Sequence, residues 1–333
     1  MWLDDECLKV YISCAKILVM LDDPFSHLLR LMSARSVLSG GLIAGGAWAV
    51  EAPATDQIKF WGVIRGSCWL RVSGEKVPMR FEEGDVFLLL EPRTLIVSSD
   101  LTTEPVDLYD ALRGREGATF RLGEGDDFFT IGGGVELDAK GGKLLLSELP
   151  PFIHIHSTTK QADILRLLLM QLVRESEEEL PGAAVASAQF AQLIFIQVLR
   201  AYMDTAEPLA AGWLRAVSDK RLAPAVRLIH GDPGRSWQLE ELAKTAAMSR
   251  ATFASYFKSV AGLAPMTYLT QWRMHLAGQA LQEGKTSVNA LAQSLGYGSE
   301  SAFSNAFKRV MGTSPRSYRI VAKEHSATVV VTR

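Results

Sequence analysis

The 333-residue chain has few cysteines, few histidines and no long apolar run. Its three cysteines (Cys7, Cys14 and Cys68) do not make a disulfide framework, which favours a reducing compartment. The longest apolar stretch, residues 183–199, is interrupted by a serine and three glutamines, so it falls short of a membrane span of about 18 residues. With 48% hydrophobic and 22% charged residues, the composition predicts a folded, soluble protein of about two domains.

The first nineteen residues lack both marks of a secretory signal, a basic start and a cleavage site of small residues. They begin with the acidic cluster Asp4, Asp5 and Glu6 and lead to Met20. We therefore treat residues 1–19 as a doubtful leader, in which either Met20 is the native start or the leader is poorly ordered. The expected location is cytoplasmic, with no membrane partner.

The net charge of −2 averages two unlike parts of the chain. Residues 1–220 hold 21 Lys/Arg and 31 Asp/Glu, whereas residues 221–320 hold 12 Lys/Arg and 5 Asp/Glu. A basic C-terminal segment attached to an acidic one suggests contact with a polyanion, although imbalance between domains is also common.

The region between Leu42 and His156 alternates short apolar runs with glycine-rich turns. This pattern is typical of a β-sandwich or barrel, and we expect a jelly roll. The predicted strands are Phe60–Ile64, Cys68–Val72, Val86–Leu90, Thr94–Val97, Phe128–Ile131 and Lys143–Leu146.

Residues 161–204 change to a helical period, with a break at Pro181 and Gly182. Two interpretations stay open for this helix pair. It caps the sheet, or it forms a dimerisation surface, because it carries more apolar residues than one docking face needs.

The C-terminal hundred residues contain an internal repeat. The segment from Leu239 to Tyr268 recurs from Val288 to Tyr318 with an offset of 49 residues, which becomes 50 from the phenylalanines onward. Each copy predicts a helix, a tight turn and a second helix, with Ser249 or Ser299 as N-cap. This is the helix-turn-helix pattern of DNA-binding proteins, and the second turn is one residue longer.

Helical phase predicts which side chains of the second helices face outward. If Phe253 and Phe257 point inward, then the opposite face is small and polar, as base edges in the major groove require. The basic residues near the helix ends suit phosphate contacts. The predicted DNA-binding residues are Ser249, Arg250, Ala251, Ala254, Ser255, Lys258, Ser299, Ser301, Ser304, Asn305, Lys308 and Arg309.

Between the copies, residues 265–281 predict a linker helix of roughly 25 Å, which suits two adjacent major-groove segments on one face of the duplex. Within it we expect Trp272 to pack internally and Arg273 to reach a phosphate.

Residues from about 222 to 320 resemble the DNA-binding domain of AraC/XylS-type bacterial transcription regulators. The resemblance is carried by the stretches Trp237-Gln-Leu-Glu-Glu-Leu-Ala, Met248-Ser-Arg-Ala-Thr-Phe, Gly296-Tyr-Gly-Ser-Glu-Ser-Ala-Phe and Gly312-Thr-Ser-Pro-Arg-Ser-Tyr-Arg. The stretches Leu29-Arg-Leu-Met-Ser-Ala, Gly84-Asp-Val-Phe-Leu-Leu and Leu149-Pro-Pro-Phe-Ile-His resemble the cupin-like sensor domain of one subgroup. The resemblance implies a homodimer that binds promoter DNA, contacts RNA polymerase and responds to a small-molecule effector.

The cupin resemblance also raises the alternative of a metal-dependent enzyme with an appended binding module. No histidine lies between His27 and His154, where most of the barrel sits. His154 and His156 share a strand face, but two ligands without a nearby third make a poor metal site. We therefore expect no metal, no cofactor and no catalytic residue.

The barrel has aromatic residues that suit an apolar effector pocket, although large aromatics also form cores. Cys68, in a predicted strand, is either a redox-sensing thiol or a buried structural cysteine. The candidate effector-binding residues are Trp48, Trp61, Trp69 and Phe81, with Phe87 nearby.

Together these observations predict a multidomain α+β protein, in which a cupin-like jelly roll, a helical connector and an all-α domain follow one another. The expected divisions are a sensor domain at 20–160, a connector at 161–220, a DNA-binding domain at 221–320 and a tail at 321–333. The expected function is sequence-specific transcription regulation through two helix-turn-helix units, modulated by a signal at the sensor domain.

Overall fold

The computed structural model describes residues 23–31, 35–113, 119–136, 149–178, 180–204, 210–284 and 286–321, together with Leu146. The described residues fall into two compact units. The sheet unit lies within Ala34–Pro208, and the helical unit lies within Met1–Ser33 and Leu209–Arg333. The doubtful leader, Cys7, Cys14 and most of the expected tail lie outside the described residues.

The sheet unit contains two sheets that enclose one apolar core. The strands are β1 (Arg35–Gly45), β2 (Ala49–Ala52), β3 (Ile58–Arg65), β4 (Ser67–Val72), β5 (Met79–Glu82), β6 (Val86–Leu89), β7 (Leu95–Ser98), β8 (Val106–Asp107), β9 (Thr119–Gly123), β10 (Phe128–Glu136) and β11 (Phe152–Ile155), with a short helix α2 (Leu108–Leu112) after β8. One sheet has the order β11-β6-β3-β10-β1-β9, and the other has the order β5-β4-β7-β2-β8.

Five of the six predicted strands overlap observed ones, namely β3, β4, β6, β7 and β10. Most of the sixth, Lys143–Leu146, lies outside the described residues. The pairing is mostly antiparallel, as in β1 with β10, but β9 runs parallel to β1 and β8 runs parallel to β2. The predicted sheet-rich N-terminal region is confirmed.

Strand β4 shows how the core is built. Its alternate residues Cys68, Leu70 and Val72 are buried, whereas Trp69 and Arg71 between them are only partly buried. This is the two-residue period of a strand with one face on a core. Residues of both sheets complete that core, including Leu42, Phe87 and Leu95.

Two helices follow the strands, α3 (Ala162–Glu177) and α4 (Ala183–Met203), and they are separated by the predicted break at Gly182. They pack against each other, α3 against β3, and α4 against β1, β10 and β11. Among the described residues one helix, α4, is long and apolar enough to cross a membrane by length and composition alone. Core helices pass the same test, and the buried side chains of α4, such as Ile194 and Phe195, lie within the sheet unit.

The helical unit is formed by α1 (Pro24–Leu31), α5 (Trp213–Ser218), α6 (Ala223–Gly231), α7 (Leu239–Thr245), α8 (Arg250–Ala261), α9 (Pro265–Glu283), α10 (Val288–Ser294) and α11 (Glu300–Met311), with residues 315–321 also helical. Helix α1 packs against α5, α6 and α9, where Phe25 and Leu28 are buried. The sensor domain is expected to begin at residue 20, whereas α1 groups with the helical unit. The expected domain boundaries stay predictions.

Candidate nucleic-acid interface

The first helix-turn-helix unit consists of α7 and α8. Helix α7 begins with a capping box, in which Gln238 and Glu241 satisfy each other's backbone N–H groups. Helix α8 begins at the predicted N-cap, because the Ser249 hydroxyl accepts a hydrogen bond of 3.2 Å from the Thr252 N–H. Phe253 and Phe257 are completely buried, as the helical phase predicts.

The second unit, α10 and α11, repeats this construction. The Ser299 hydroxyl accepts a hydrogen bond of 3.2 Å from the Ala302 N–H. Phe307 meets Tyr318 edge-on with ring centroids 5.3 Å apart, and Phe257 meets Tyr268 in the first unit at the same distance. The predicted internal repeat is therefore confirmed in its caps and in its aromatic packing.

The turns of the two units differ by one residue, as predicted, because four residues separate α7 from α8 and five separate α10 from α11. Each turn contains a residue in the left-handed region. In the first turn it is Ala247, with φ +53°, and in the second it is Gly296, with φ +77°. An alanine there pays a steric cost that glycine avoids.

The predicted reading faces are solvent-accessible. On α8, Ala251, Ser255 and Lys258 are exposed and Ala254 is half-buried. On α11, the corresponding side chains are also exposed, with Ser304 half-buried. The exposed set on α11 and its N-cap is Ser299, Ser301, Asn305, Lys308 and Arg309. The structure thus brings the predicted residues onto one exposed side of each helix, and their contact with DNA stays a prediction.

The basic residue at the start of α8 has a partner within the unit. A guanidinium nitrogen of Arg250 lies 2.9 Å from the Glu240 carboxylate, and both side chains are more than half exposed. Ion pairs exposed to this extent contribute little to stability. Arg250 can therefore exchange Glu240 for a phosphate at little cost.

Arg273 of the linker helix holds a neighbouring backbone segment, and its predicted phosphate contact stays a prediction. Its Nε donates to the Pro233 carbonyl at 2.5 Å, and its Nη2 donates to the Arg235 carbonyl at 2.9 Å. Its guanidinium also lies over the Tyr297 ring, 5.7 Å from the centroid. Trp272 is buried as predicted, with its ring stacked 3.8 Å from that of His230.

The turn of the second helix-turn-helix unit meets the segment between α6 and α7 at a close backbone contact that the sequence pattern did not reveal. A Cβ added at Gly296 would lie 2.1 Å from the Gly234 carbonyl oxygen. A Cβ at Gly234 would lie 2.3 Å from the Ser294 carbonyl oxygen. Arg273 holds the segment that contains Gly234, so the linker helix, this segment and the second turn meet in one place. We expect this contact to help position α11 relative to the first unit.

The sheet unit encloses a cavity of about 470 Å³, within the usual size of small-molecule sites. Trp61 and Phe81 line it, together with Phe87. Two further candidates do not lie on the cavity wall. Trp48 stacks on Phe128 in the core at 4.9 Å, and Trp69 points to the other face of β4, where Arg80 lies over its ring.

The cavity also has a polar side that the sequence pattern did not reveal. Its lining includes four polar residues, namely Thr55, Gln57, Lys59 and Thr130. Lys59 is half-buried, and desolvation lowers the pKa of its ammonium group. The cavity therefore joins an apolar, aromatic wall to a few hydrogen-bonding groups.

Cys68 lies on the same cavity wall and is 6% exposed. Burial, with a further contribution from the Asp85 carboxylate, raises the pKa of its thiol to about 12. A thiol held in the protonated form is a poor nucleophile, so the structure favours the buried structural cysteine over the redox sensor.

The histidine pair at the end of the sheet has a third potential donor beside it. His154 and His156 have ring centroids 3.9 Å apart, and His154 Nε2 lies 2.9 Å from Asp85 Oδ2. The expectation that no third donor lies nearby is therefore wrong. Sequence spacing could not show it, because the carboxylate lies 69 residues away along the chain.

Comparisons with known proteins match both parts of the chain. A family model described as Cupin matches residues 23–204, and one described as Helix-turn-helix domain matches residues 242–320. A putative AraC-like transcription regulator of Streptomyces lividans is 40% identical over 89% of this chain and 98% of its own length. The HTH-type transcriptional regulator AlkR of Acinetobacter baylyi is 29% identical over 82% of this chain and 91% of its own length. The DNA-binding domain of AdpA, solved in complex with a target DNA, is 31% identical over 32% of this chain and 96% of that chain, with a TM-score of 0.30.

Proposed function

This chain belongs to the AraC-like transcription regulators, and on that premise we propose that it reads two adjacent major-groove segments with α8 and α11. It is a DNA-binding transcription regulator with a cupin-like N-terminal domain. Its relatives are regulators, so the alternative of a metal-dependent enzyme with a binding module is not supported.

The observation that carries the proposal is the repeated presentation of a small, polar helix face. Ala251 and Ser255 are exposed on α8, and Ser301 and Asn305 are exposed on α11 at the equivalent turns. Small side chains allow a helix to approach base edges closely. An asparagine pairs with adenine, a serine pairs with several bases, and an alanine methyl contacts a thymine methyl. Because the two faces differ, the proposed site on DNA is asymmetric.

Phosphate contacts are assigned to the exposed basic residues at the helix ends. The C-terminal end of α8 carries exposed Lys258, and that of α11 carries exposed Lys308 and Arg309. Helix α8 also begins with exposed Arg250. Such contacts set the register of the protein on the duplex without reading sequence. The hydroxyls of Ser249 and Ser299 cap the N-termini of α8 and α11. Both serines therefore lie at the helix ends that we expect to approach the DNA backbone.

The experiment is fluorescence anisotropy of the full chain on DNA from upstream of its own gene, with unrelated DNA as competitor across a salt series. We expect tight, competitor-resistant binding with a steep salt dependence. Equally weak binding to every DNA tested, with and without cell-derived small molecules, would contradict the proposal.

Two substitutions separate base reading from phosphate contact. Asn305→Ala should cost about 1–3 kcal/mol on the preferred sequence and change the preference at one part of the site. Lys308→Ala should weaken binding on all sequences and reduce the salt slope by about one. Lys76→Ala, which removes an exposed lysine of the sheet unit, is the matched control. An equal effect of all three variants would refute the assigned roles.

The cavity of the sheet unit is the proposed effector site. Its aromatic wall, with Trp61 and Phe81, suits an apolar small molecule, and Lys59 lies on the polar side. Binding there would shift the population of states in which the two reading helices fit DNA together. Anisotropy of Trp61→Ala against wild type, in the presence of each candidate effector, tests this assignment.

Helices α3 and α4 support a homodimer through their outer side. Ile164, Leu167 and Met170 of α3 are about half exposed, and Val185 of α4 is 69% exposed. The inner sides already cover the sheet unit, so these apolar residues remain for a second copy of the chain. Sedimentation equilibrium should give a dimer that Leu167→Glu weakens, and a monomeric wild type would refute the assignment. Contact with RNA polymerase and a cytoplasmic location complete the proposal.

A further inference from the structure

Three potential metal ligands converge at the end of the six-stranded sheet. Asp85 lies in the turn just before β6, and His154 lies on β11, which pairs antiparallel with β6. His156 follows directly after β11. One donor atom from each residue lies within 4.8 Å of the other two. We propose that Asp85, His154 and His156 bind a divalent transition-metal ion, and that Zn²⁺ fits this donor set best.

The Asp85 carboxylate is held in place before any ion arrives. Its Oδ1 accepts the Ser157 N–H at 2.8 Å, and its Oδ2 accepts the Glu82 N–H at 3.1 Å. Both carboxylate oxygens are thus fixed by backbone donors, and Oδ2 also faces His154 Nε2.

A buried carboxyl group requires polar partners. The Asp85 side chain is 4% exposed, and no lysine or arginine in the described part of the chain forms an ion pair with it. Buried charges in proteins are generally paired or coordinate metals. His154 Nε2 lies beside this carboxylate, and a divalent ion shared with His154 and His156 would supply positive charge here.

The three donor atoms lie within 4.8 Å of one another, so coordination requires their separations to adjust. Two ligands at about 2.0–2.1 Å from a tetrahedral zinc are roughly 3.3 Å apart, whereas His154 Nε2 and Asp85 Oδ2 are 2.9 Å apart. His154 would coordinate through Nε2, the ring nitrogen that already faces Asp85 Oδ2. His156 is exposed, which leaves the fourth position open to water.

The site touches two parts of the sheet unit that matter for signalling. The His154 ring stacks on Phe81 with centroids 3.9 Å apart, and Phe81 lines the cavity. Ser157, which donates to Asp85, begins the segment that leads to α3 at Ala162. An ion here would stiffen both the cavity wall and the exit from β11. Binding of the ion itself does not depend on how the chain reads DNA.

The test is a titration of the full chain, produced without an affinity tag and stripped with a chelator. Co²⁺ is followed by its visible absorption, and Zn²⁺ is then added as competitor. We expect one ion per chain, with a micromolar or tighter dissociation constant and the absorption of a low-symmetry cobalt site. His156→Asn, an exposed substitution that leaves the core intact, should weaken binding at least about tenfold.

Two further variants complete the design. Asp85→Asn should also abolish the cobalt absorption, and circular dichroism would show whether it stays folded. Glu83→Gln removes an exposed carboxylate two residues away with the same charge change and should bind as wild type does. Absence of stoichiometric binding, or equal affinity of wild type and His156→Asn, would overturn the proposal.

Discussion

Substitution of Gly296 by alanine should disrupt the joint reading of DNA more than it disrupts the fold of either unit. Gly296 has φ +77°, and an added Cβ would lie 2.1 Å from the Gly234 carbonyl oxygen. Real Cβ contacts are not shorter than 3.0 Å, so the second turn and the segment between α6 and α7 would separate by about an ångström. The left-handed conformation alone costs an alanine about 1–2 kcal/mol.

The chain offers a matched control for the conformational part of this effect. Gly312 also has φ +77°, but no atom lies within 4 Å of an added Cβ. Gly312→Ala should therefore pay only the left-handed cost, whereas Gly296→Ala also displaces α11 from the first unit. The difference between the two variants isolates the contact between the second turn and the segment that contains Gly234.

The assay is anisotropy on the preferred DNA at a temperature where circular dichroism shows both variants folded. We expect Gly296→Ala to bind at least tenfold more weakly than Gly312→Ala, which corresponds to about 1.4 kcal/mol. We expect Gly312→Ala to stay close to wild type in affinity. Equal affinities of the two variants would refute the claim that the contact positions α11.

Two further predictions concern stability. Burial, with His27 nearby, lowers the pKa of His230 to about 3, and burial lowers that of His275 to about 4. The unfolded chain, with histidine pKa values near 6.5, then binds more protons, so stability should be full above about pH 6.5 and fall as the pH is lowered toward 4. Urea titrations across this range should show proton uptake on unfolding that His275→Gln reduces by about one, and a flat profile would contradict the assignment. Ala247→Gly should raise the free energy of unfolding of the helical unit by about 0.5–1 kcal/mol. The substitution removes left-handed strain at φ +53°, and this gain exceeds the loss from the greater conformational entropy of the unfolded chain. A lower urea midpoint for this variant would show that the strain is relieved elsewhere.

The reading helices could be predicted closely because their signals are local. The repeat, the serine caps and the inward phenylalanines all lie within a few turns of one helix pair. A helix with a period of 3.6 residues then fixes the opposite face without knowledge of any other element. The exposed positions of Ala251, Ser255, Ser301 and Asn305 follow from this phase.

The sheet unit was predicted less completely. The turns and alternating strands indicated a two-sheet domain, but aromatic content did not reveal which rings line the cavity. Trp69 was a candidate, yet its neighbours Cys68 and Leu70 are the residues on the cavity wall. Strand register decides this, because a shift of one residue moves a side chain to the other face.

The two helix-turn-helix units of the same design, and the sheet-rich domain before them, can be predicted from the amino-acid sequence. The contacts between these elements cannot be predicted from it. In the folded protein Arg273 donates hydrogen bonds to two backbone carbonyls about 40 residues away, Gly296 lies against Gly234, and Asp85 lies beside His154. Caps and helical phase can be predicted because they depend on neighbours within one or two turns. These contacts cannot, because they join segments whose approach depends on the packing of the whole unit.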